Sequence, residues 1–396
     1  MVAISGYGYY YLKTLLEAFP HGTVELRAVV DPTPGKSDYF SEIQDRQIPI
    51  FTDLKDFYES EGSSDLVVIS SPIHYHVPQS CEALINGSHV LCDKPLGATI
   101  QEVDHLIRTR DGSDRWVMVG YQWSYSQAIQ SLKKDIQKGL FGKPVRLKTL
   151  CFWPRDEAYY ARNDWAGRKK DLDGRWILDS PANNAMAHFL HNIFYVLGNQ
   201  VDTSAAVAEV TAELYRANPI ENYDTIACRA ITTEGTECLF YASHAIPEDR
   251  GPMFSYEFED ATVTFGESVN DVIATTSSGS EKHYASPDGD HQFRKLFQAV
   301  DWVRRPMTIL CGPEAARSQT LSVNGIQDSV SEIVAFPESM IHHDETIRLR
   351  WVEGLADIFY DCYQKSALPN EMNVSWARCG RRVDLSDYRF FPGGHP

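Results

Sequence analysis

The sequence has few of the features that mark membrane, disulfide-rich or nucleic-acid-binding proteins. No apolar run approaches the roughly 20 residues that span a membrane, and the eight cysteines among 396 residues form no C-x-x-C pair. Neither a disulfide framework nor a zinc site is indicated, so no metal is expected. Acidic residues also outnumber basic residues. The net charge of −17 disfavours nucleic acid and anionic membranes as partners, since both require basic patches.

The bulk composition is that of an ordinary globular protein. Hydrophobic residues make up 43% of the chain, and the length suggests two or three domains. An apolar strand, 2–4, begins directly after Met1. We therefore expect no signal peptide and a reducing cytoplasm as the compartment.

The first third of the chain begins with a glycine-containing turn between a strand and a helix. Gly6 permits a tight turn, and Gly8 lets the backbone approach a pyrophosphate at the helix N-terminus. Tyr11 stands where a G-x-G-x-x-G pattern has its third glycine, so we expect this helix to pack differently from usual. The predicted cofactor-binding residues of this loop are Gly6, Tyr7, Gly8, Tyr9 and Tyr10.

The next strand ends in an acid, Asp31, 23 residues after Gly8. A carboxylate at this position can accept hydrogen bonds from ribose hydroxyls and would repel a 2′-phosphate, which favours NAD over NADP. The alternative is an aspartate that only starts the turn 31–34. Strand, glycine turn, helix, strand and acid in this order predict a dinucleotide-binding fold.

Further apolar strands at 65–69, 89–92 and 117–122 predict a doubly wound parallel sheet. Ligands bind such sheets outside the carboxyl ends of the strands. Lys94 follows the strand 89–92 and should point its ammonium into this crevice; a solvated surface lysine is the alternative. His76 could equally cap the next helix. The predicted cofactor contacts of these loops are Ser70, Ser71, Pro72, His74, His76, Asp93, Lys94 and Gln122.

Past residue 121 the pattern changes to long alternating strands, which predict an antiparallel sheet with one covered face. We therefore divide the chain into a dinucleotide-binding domain, 1–121, and a second domain, 122–396, for substrate binding and oligomerisation. A late helix is predicted at about 344–365. Its apolar stripe runs from Ile347 through Trp351 to Phe359 and is interpreted as core.

Residues 180–198 predict a second informative helix. Ser180 and the proline after it suit a helix start, and Gly198 suits its end. Asn184, His188 and His191 would then share one face, which we expect to line a polar pocket. A structural hydrogen-bond network and a metal site without an obvious third ligand are alternatives. We favour a proton-handling site, because a neutral imidazole can accept a proton from a hydroxyl.

Aromatic and hydrogen-bonding residues alternate between 152 and 167. This composition suits a sugar, whose C–H faces stack on rings while its hydroxyls take polar partners. The alternative is a tyrosine-rich loop packed on the sheet. The candidate substrate contacts are Trp153, Arg155, Tyr160, Arg162 and Trp165, together with Lys94, Asn184 and His188.

Taken together, these motifs resemble the Gfo/Idh/MocA oxidoreductases, a family named for glucose–fructose oxidoreductase and inositol 2-dehydrogenase. Residues 6–8 resemble its nucleotide loop, and 71–76 resemble its T-P-x-x-x-H segment. Asp93-Lys94-Pro95 resembles its E-K-P motif. Residues 184–191 resemble its D-x-x-x-H-x-x-D helix, with asparagine and histidine in place of the two aspartates.

The resemblance implies an N-terminal Rossmann domain and a C-terminal α/β domain with a large, open, mainly antiparallel sheet. It also implies NAD(P) as cofactor, a sugar or polyol alcohol as substrate, and homodimers or homotetramers that associate through the open sheet. By position, Lys94 would hydrogen-bond the reacting oxygen and His188 would carry its proton. Without the family's first aspartate we expect a less basic His188, oriented by Asn184, and His191 becomes a second candidate base.

The expected reaction is hydride transfer between NAD and a secondary alcohol of a sugar, glycoside or polyol. One alternative is an NAD-dependent glycoside hydrolase that oxidises C3 transiently and eliminates the aglycone. The other is a non-catalytic sensor that binds NAD and a sugar.

Overall fold

The computed structural model describes residues 1–20, 22–266, 269–305 and 307–393. Its N-terminal part is a parallel sheet in the order β2-β1-Val2-β3-β4-β5, with Val2 bridging Val30 and Ile69. The strands are β1 (Val29–Val30), β2 (Ile50–Phe51), β3 (Leu66–Ile69), β4 (His89–Cys92) and β5 (Val117–Val119). The helices are α1 (Gly8–Glu17), α2 (Phe40–Asp45), α3 (Leu54–Glu61), α4 (Ile73–Ile85) and α5 (Ile100–Asp111). The predicted doubly wound sheet is confirmed.

The central strands of this sheet are apolar along their whole length because both of their faces are covered. Residues 90–92 and 117–119 are buried without interruption, as is usual for parallel strands between two layers of helices. Helix α5 begins at a capping box, in which Glu102 accepts hydrogen bonds from the backbone and side chain of Thr99.

The C-terminal part is built on a ten-stranded sheet in the order β13-β12-β11-β10-β6-β9-β8-β7-β14, with β17 also paired to β7. Only the β6·β9 and β7·β14 pairs are parallel. Its strands are β6 (Pro144–Phe152), β7 (Val207–Arg216), β8 (Thr225–Thr232), β9 (Glu237–Ser243), β10 (Arg250–Phe258), β11 (Ala261–Phe265), β12 (Ile273–Thr276), β13 (Glu281–His283), β14 (Val334–Ala335) and β17 (Val383–Asp384). The strands β15 (Ile341–Asp344) and β16 (Leu349–Val352) form a separate two-stranded sheet. The predicted large, mainly antiparallel sheet is confirmed.

The C-terminal part also contains helices, and two of them pack against the N-terminal part. They are α6 (Gln127–Gln137), α7 (Glu157–Ala161), α8 (Ala187–Val196), α9 (Arg294–Arg304), α10 (Pro313–Ser329) and α11 (Leu355–Lys365). Short 3-10 segments lie at Pro34–Lys36, Gln122–Tyr125, Glu338–Met340 and Pro369–Met372. Within the described ranges no helix combines the length and the apolar character needed to cross a bilayer.

The inner face of the large sheet and the centre of its outer face are covered by the chain itself, whereas the sequence predicted one covered face. The inner face packs on α8 and α10. The outer face, to which Leu150, Leu239 and Tyr241 point, packs on α11 and the residues around it. The prediction erred because alternation in a strand distinguishes its two faces but does not show that a distant C-terminal segment covers the second one.

Two predicted helices are shorter than expected. Residues 341–352 form the hairpin β15–β16, and α11 begins only at Leu355 after Gly354, whose φ is +71°. Apolar residues three or four apart in 347–359 imitate a helix although they straddle this turn. Likewise α8 begins at Ala187, because Met186 N–H bonds to the Pro181 carbonyl and residues 181–186 form successive turns. Asn184 therefore precedes the helix that carries His188.

Candidate active site

Lys94 lies at the carboxyl edge of the parallel sheet, directly after β4, where the sequence placed it. Its Nζ donates to the Asn184 backbone carbonyl (2.6 Å) and to Asn184 Oδ1 (3.2 Å). Burial lowers the pKa of Lys94 to about 8, although the neighbouring carboxylate of Asp93 acts in the opposite direction. An ammonium with such a pKa can both donate a hydrogen bond and lose a proton near neutral pH.

Position 184 carries an asparagine and no carboxylate, but the carboxylate of Asp179 lies next to it. Asn184 Nδ2 donates to Asp179 Oδ1 (2.6 Å), and the Gly167 N–H donates to Asp179 Oδ2 (2.6 Å). The Arg162 guanidinium lies 3.9 Å from the same carboxylate. Asn184 is therefore an amide bridge between Lys94 and a buried acid. An aspartate at 184 would face Asp179 as a like charge, which explains the asparagine physically.

The two histidines of α8 differ sharply in their surroundings. His188 is half-buried, and its Nδ1 has no hydrogen-bond partner among the described residues. Burial, followed by the nearby Lys94, holds the pKa of His188 well below its usual range, so its imidazole is neutral at pH 7. His191 is fully buried: its Nε2 lies 2.9 Å from Ser124 Oγ, and its ring stacks on Tyr121 at 3.9 Å. The geometry favours His188 over His191 as the proton carrier.

Sequence reasoning missed a buried ion pair beside Lys94. Lys295, on α9, reaches across from the C-terminal part and donates to Asp93 Oδ1 (3.2 Å) and to the Gly120 carbonyl (2.9 Å). The Tyr11 hydroxyl donates to the same Asp93 oxygen (3.0 Å). Position 120 must be glycine, because a Cβ there would lie 2.7 Å from Asp93 Oδ1. We call Tyr11, Asp93, Gly120 and Lys295 the crevice cluster.

Every charge of the crevice cluster has a partner. Lys295 is fully buried, and burial alone would lower its pKa. Tyr7 and Asp93 beside it nevertheless hold the pKa of Lys295 above its ordinary value. Tyr11 is fully buried as well. This residue stands in place of the third glycine, and it supplies a hydroxyl under α1 where a glycine would allow close helix packing. Periodicity could have shown that α9 exists, but not where its lysine points.

The glycine loop fits the diphosphate of a dinucleotide at the N-terminus of α1. Gly6 has φ +57°, and a Cβ there would meet no atom within 4 Å, so the loop is open on that side. Gly8 is needed for packing, since its Cβ would lie 2.2 Å from the Ala3 carbonyl oxygen. Tyr7 and Tyr10 are exposed at the helix start, whereas Tyr9 packs against Tyr39. The backbone N–H groups and positive end of the helix are the groups that bind phosphate.

Asp31 and Ser70 lie at the ends of β1 and β3, on the same edge of the sheet. Asp31 Oδ2 accepts from the Ile4 N–H (3.0 Å) and Oδ1 from the Thr33 N–H (2.8 Å), which fixes the carboxylate in place. Ser70 Oγ is buried and has no partner within the described residues. A buried hydroxyl without a hydrogen-bond partner at this edge is explained by a ligand that would supply the partner. The residues present therefore fit a dinucleotide.

The remaining predicted cofactor residues divide into structural and open positions. His76 is buried, and its ring nitrogens lie 2.6 Å from the Pro95 carbonyl and 2.7 Å from the Ser71 carbonyl, so it fixes the Lys94 loop. His74 is buried against Asp171 at 3.6 Å. The Ser71 hydroxyl donates to Gln79 (2.6 Å). Pro72 caps α4, and Gln122 opens the 3-10 segment after β5.

The predicted aromatic segment forms a wall around α7. The Arg162 and Arg155 guanidinium groups lie 3.6 Å and 5.0 Å from the ring centroid of Tyr159. Trp153 packs edge-on against Phe189 of α8, and Trp165 lies under Arg162 at 5.2 Å. Two buried polar atoms here, Arg155 Nε and the Tyr160 hydroxyl oxygen, have no hydrogen-bond partner among the residues described. We call Arg155, Tyr160 and His188 the wall cluster.

The class of protein follows from this sheet edge and from its sequence relatives. Residues 1–121 match the GFO_IDH_MocA family, described as an oxidoreductase family with an NAD-binding Rossmann fold. The resemblance to Gfo/Idh/MocA oxidoreductases is confirmed, and so is the NAD-binding fold. The match assigns the N-terminal domain to this family.

Curated relatives align with part of the chain. A 2,7-anhydro-N-acetylneuraminate hydratase of Mediterraneibacter gnavus is 24% identical over 166 residues, 42% of this chain and 40% of the relative. A scyllo-inositol 2-dehydrogenase (NAD(+)) of Bacillus subtilis is 27% identical over 143 residues, 36% of this chain and 40% of the relative. The chain therefore spans less than half the length of these relatives.

Solved structures share the complete fold at low identity. The WlbA dehydrogenase from Bordetella pertussis, in complex with NADH and UDP-GlcNAcA, superposes with a TM-score of 0.68 and 19% identity, over 83% of this chain and 96% of that one. UDP-N-acetylglucosamine 3-dehydrogenase GnnA from Acidithiobacillus ferrooxidans superposes with a TM-score of 0.62 and 15% identity, over 82% of this chain and 94% of that one. These similarities establish the two-part fold.

Proposed function

We propose that the chain is an NAD-dependent oxidoreductase that acts on a secondary alcohol of a sugar, glycoside or polyol. The observation that carries the proposal is the position of Lys94. Its ammonium lies at the carboxyl edge of an NAD-binding sheet, beside Asn184 and near the neutral His188, whose Nδ1 has no hydrogen-bond partner among the described residues. A donor and a proton acceptor in one half-buried site are what reversible alcohol oxidation requires.

Each residue has a separate task in this proposal. Bound nicotinamide supplies the hydride chemistry. Lys94 donates a hydrogen bond to the reacting oxygen, and His188 accepts the hydroxyl proton through its imidazole. Asn184 orients Lys94 through its carbonyl groups while its amide donates to Asp179. The aromatic wall, with Trp153 and Trp165, orients the sugar by stacking on its C–H faces.

NAD is proposed over NADP on the basis of Asp31. Its carboxylate is fixed by two backbone N–H groups and would repel a 2′-phosphate. The residues proposed to hold the dinucleotide are the glycine loop 6–8 with Tyr10, then Asp31, Ser70, Ser71, Pro72 and Gln122. His74 and His76 act in this proposal by shaping the loops.

The test is NADH formation at 340 nm over a panel of sugars, polyols and glycosides. Wild type should turn over at least one of them, and Lys94→Met should lose about 100- to 1,000-fold in kcat, as expected when a positioned donor is removed. The matched control is Lys55→Met, since Lys55 is an exposed lysine remote from the site. Full activity of Lys94→Met would contradict the proposal.

A second candidate is an NAD-dependent glycoside hydrolase or lyase that oxidises the sugar transiently. It is favoured by the names of the relatives, which include the hydratase and a glycosyl hydrolase family 109 protein of Saccharopolyspora erythraea, 30% identical over 104 residues, 26% of this chain and 23% of the relative. Release of aglycone without accumulated NADH would identify this activity. Tight NADH binding without any turnover would instead favour the non-catalytic sensor.

The assembly and compartment of the chain are also proposals. A homodimer or homotetramer is expected from the resemblance. The centre of the outer face of the large sheet is covered by α11 and its neighbours, so the association would use the part of this face beyond them or another surface. A cytoplasmic location is supported by the cysteines, since all eight are free thiols and seven of them are buried.

A further inference from the structure

A groove borders the wall cluster on the side formed by the C-terminal hairpin β15–β16. It is open to solvent and has a volume of about 550 Å³, within the range of small-molecule sites. Its lining is largely apolar but includes one basic and one acidic side chain. The lining residues are Pro154, Arg155, Asp156, Tyr159, Pro247, Ile347 and Leu349.

The hairpin is held at this place by Glu157, at the start of α7. Glu157 accepts from Arg348 Nε (2.9 Å), and its other oxygen lies 3.2 Å from His343 and 3.9 Å from Arg350. The Glu157 N–H also donates to the Arg348 carbonyl (3.0 Å). The groove wall is therefore attached to the element that carries Tyr159 and Tyr160.

Arg155 is left without a counter-ion among the described residues. Glu157 is occupied by the hairpin, Asp156 accepts from the Tyr159 N–H (2.8 Å) as the cap of α7, and Asp179 serves Asn184 and Arg162. The Arg155 side chain donates from Nη1 to the Pro154 carbonyl (2.9 Å) and is also hydrogen-bonded to the Tyr159 side chain. Its charge is not paired with a carboxylate of the described residues, and an anion in the groove would supply that partner.

Side-chain contacts link the groove to the proposed sugar site, and Tyr159 belongs to both sets of contacts. Arg155 and Arg162 both lie on Tyr159, Arg162 faces Asp179, and Asp179 accepts a hydrogen bond from the Asn184 that receives Lys94. A substituent on a sugar bound at Lys94 would have to pass Tyr159 to reach Ile347 and Arg155.

We propose that this groove is a subsite for an anionic, otherwise apolar substituent of the sugar, such as an aromatic acid linked as the aglycone. The proposal rests on the proposed function and adds a substrate class to it. Arg155 binds the carboxylate through a charge-assisted hydrogen bond. Pro154, Pro247 and Ile347 cover the apolar part of the substituent.

The test is calorimetric binding to the full chain with NAD bound, so that no turnover is needed. The probes are 4-carboxyphenyl and 4-nitrophenyl β-D-glucoside, which place the charge on the substituent or remove it, and methyl β-D-glucuronide, which places it on the sugar. Wild type should bind the carboxyphenyl glucoside about tenfold more tightly than the nitrophenyl glucoside, as one charged hydrogen-bonded pair provides. Arg155→Gln should abolish that difference, and Ile347→Asp should weaken both aryl glucosides.

Arg382→Gln is the matched control, because it removes the same charge from an exposed arginine on β17's flank. Equal binding of the two aryl glucosides, no binding of either, or a carboxylate advantage that survives Arg155→Gln would overturn the proposal. So would an Arg155-dependent advantage shown by methyl glucuronide alone. Selective binding without turnover of any sugar would overturn only the proposed oxidoreductase function, so the two failures are distinguishable.

Discussion

The crevice cluster and the wall cluster use their polar groups in opposite ways. In the crevice cluster, Lys295, Asp93 and Tyr11 satisfy one another at 3.0–3.2 Å. In the wall cluster, His188 Nδ1, Arg155 Nε and the Tyr160 hydroxyl have no partner within the described ranges. Folded proteins leave few buried polar atoms unpaired.

This difference distinguishes polar groups that stabilise the fold from polar groups that are available to bind a ligand. A satisfied buried ion pair fixes its neighbours, here the loop that carries Lys94. An unsatisfied buried donor costs free energy in the absence of a ligand and regains it in the complex. Substitutions in the crevice cluster should therefore change stability, whereas those in the wall cluster should change binding and turnover.

The largest expected effect comes from the two histidines of α8. His188→Asn should lower kcat by about 100- to 10,000-fold, the usual contribution of a general base, with the urea midpoint nearly unchanged. His191→Asn should do the reverse: it removes a buried hydrogen bond and a stacked ring, which costs about 2 kcal/mol of unfolding free energy. Steady-state kinetics and urea unfolding of both variants check this. Loss of kcat in His191→Asn alone would exchange their roles.

The second effect is the removal of Lys295. Lys295→Met should lower the free energy of unfolding by about 3 kcal/mol, because the buried Asp93 would lose its salt-bridge partner and keep only the Tyr11 hydroxyl and the nearby Lys94. Lys282→Met is the control: Lys282 is half-exposed and pairs with Asp135, so its loss should cost under about 1 kcal/mol. Urea unfolding followed by tryptophan fluorescence gives both values. Equal stability of the two variants would show that the crevice cluster does not stabilise the fold.

A smaller change is expected for Tyr11→Phe. The variant keeps the ring but loses the hydrogen bond to a charged carboxylate, which is worth about 2 kcal/mol. Tyr39→Phe removes a hydroxyl that bonds Glu17 at the surface and should be nearly neutral. Thermal unfolding of the pair measures the difference, and a neutral Tyr11→Phe would contradict the partnership with Asp93.

The smallest effect is a pH dependence of kcat. Lys94 must carry its proton to donate to the reacting oxygen, and its pKa is lowered to about 8 by burial. Turnover should therefore fall as the pH rises through about 8. No acid limb is expected between pH 6.5 and 8, because the pKa of His188 lies well below its usual range. Lys94→Arg keeps the charge at high pH, so its residual activity should lack the alkaline limb.

The sequence predicted features that depend on local order along the chain. The strand before Lys94, the glycine turn at Gly6 and the position of His188 on a helix all follow from residue type and spacing. The boundary of α8 was wrong, because the turns 181–186 contain good helix residues and only the Met186-to-Pro181 bond reveals their geometry.

Features that join distant parts of the chain were not predictable from one sequence. Lys295 lies 202 residues from its partner Asp93, and nothing in the helical pattern of α9 shows which side chain crosses between domains. Asp179 could have been suspected, since it lies only five residues before Asn184. Only the structure, in which both residues lie near Lys94, shows that Asp179 supplies the carboxylate that position 184 lacks.

The covered outer face of the large sheet has a consequence during synthesis. The central strands are complete at Phe258, but Leu355, the first residue of the helix that covers them, follows almost 100 residues later. At about 5–20 residues per second, the apolar surface around Leu239 and Tyr241 is exposed for roughly 5–20 s on each nascent chain. A ribosome that stops before α11 would release a chain with an uncovered sheet, so the C-terminal segment decides whether the finished strands stay soluble.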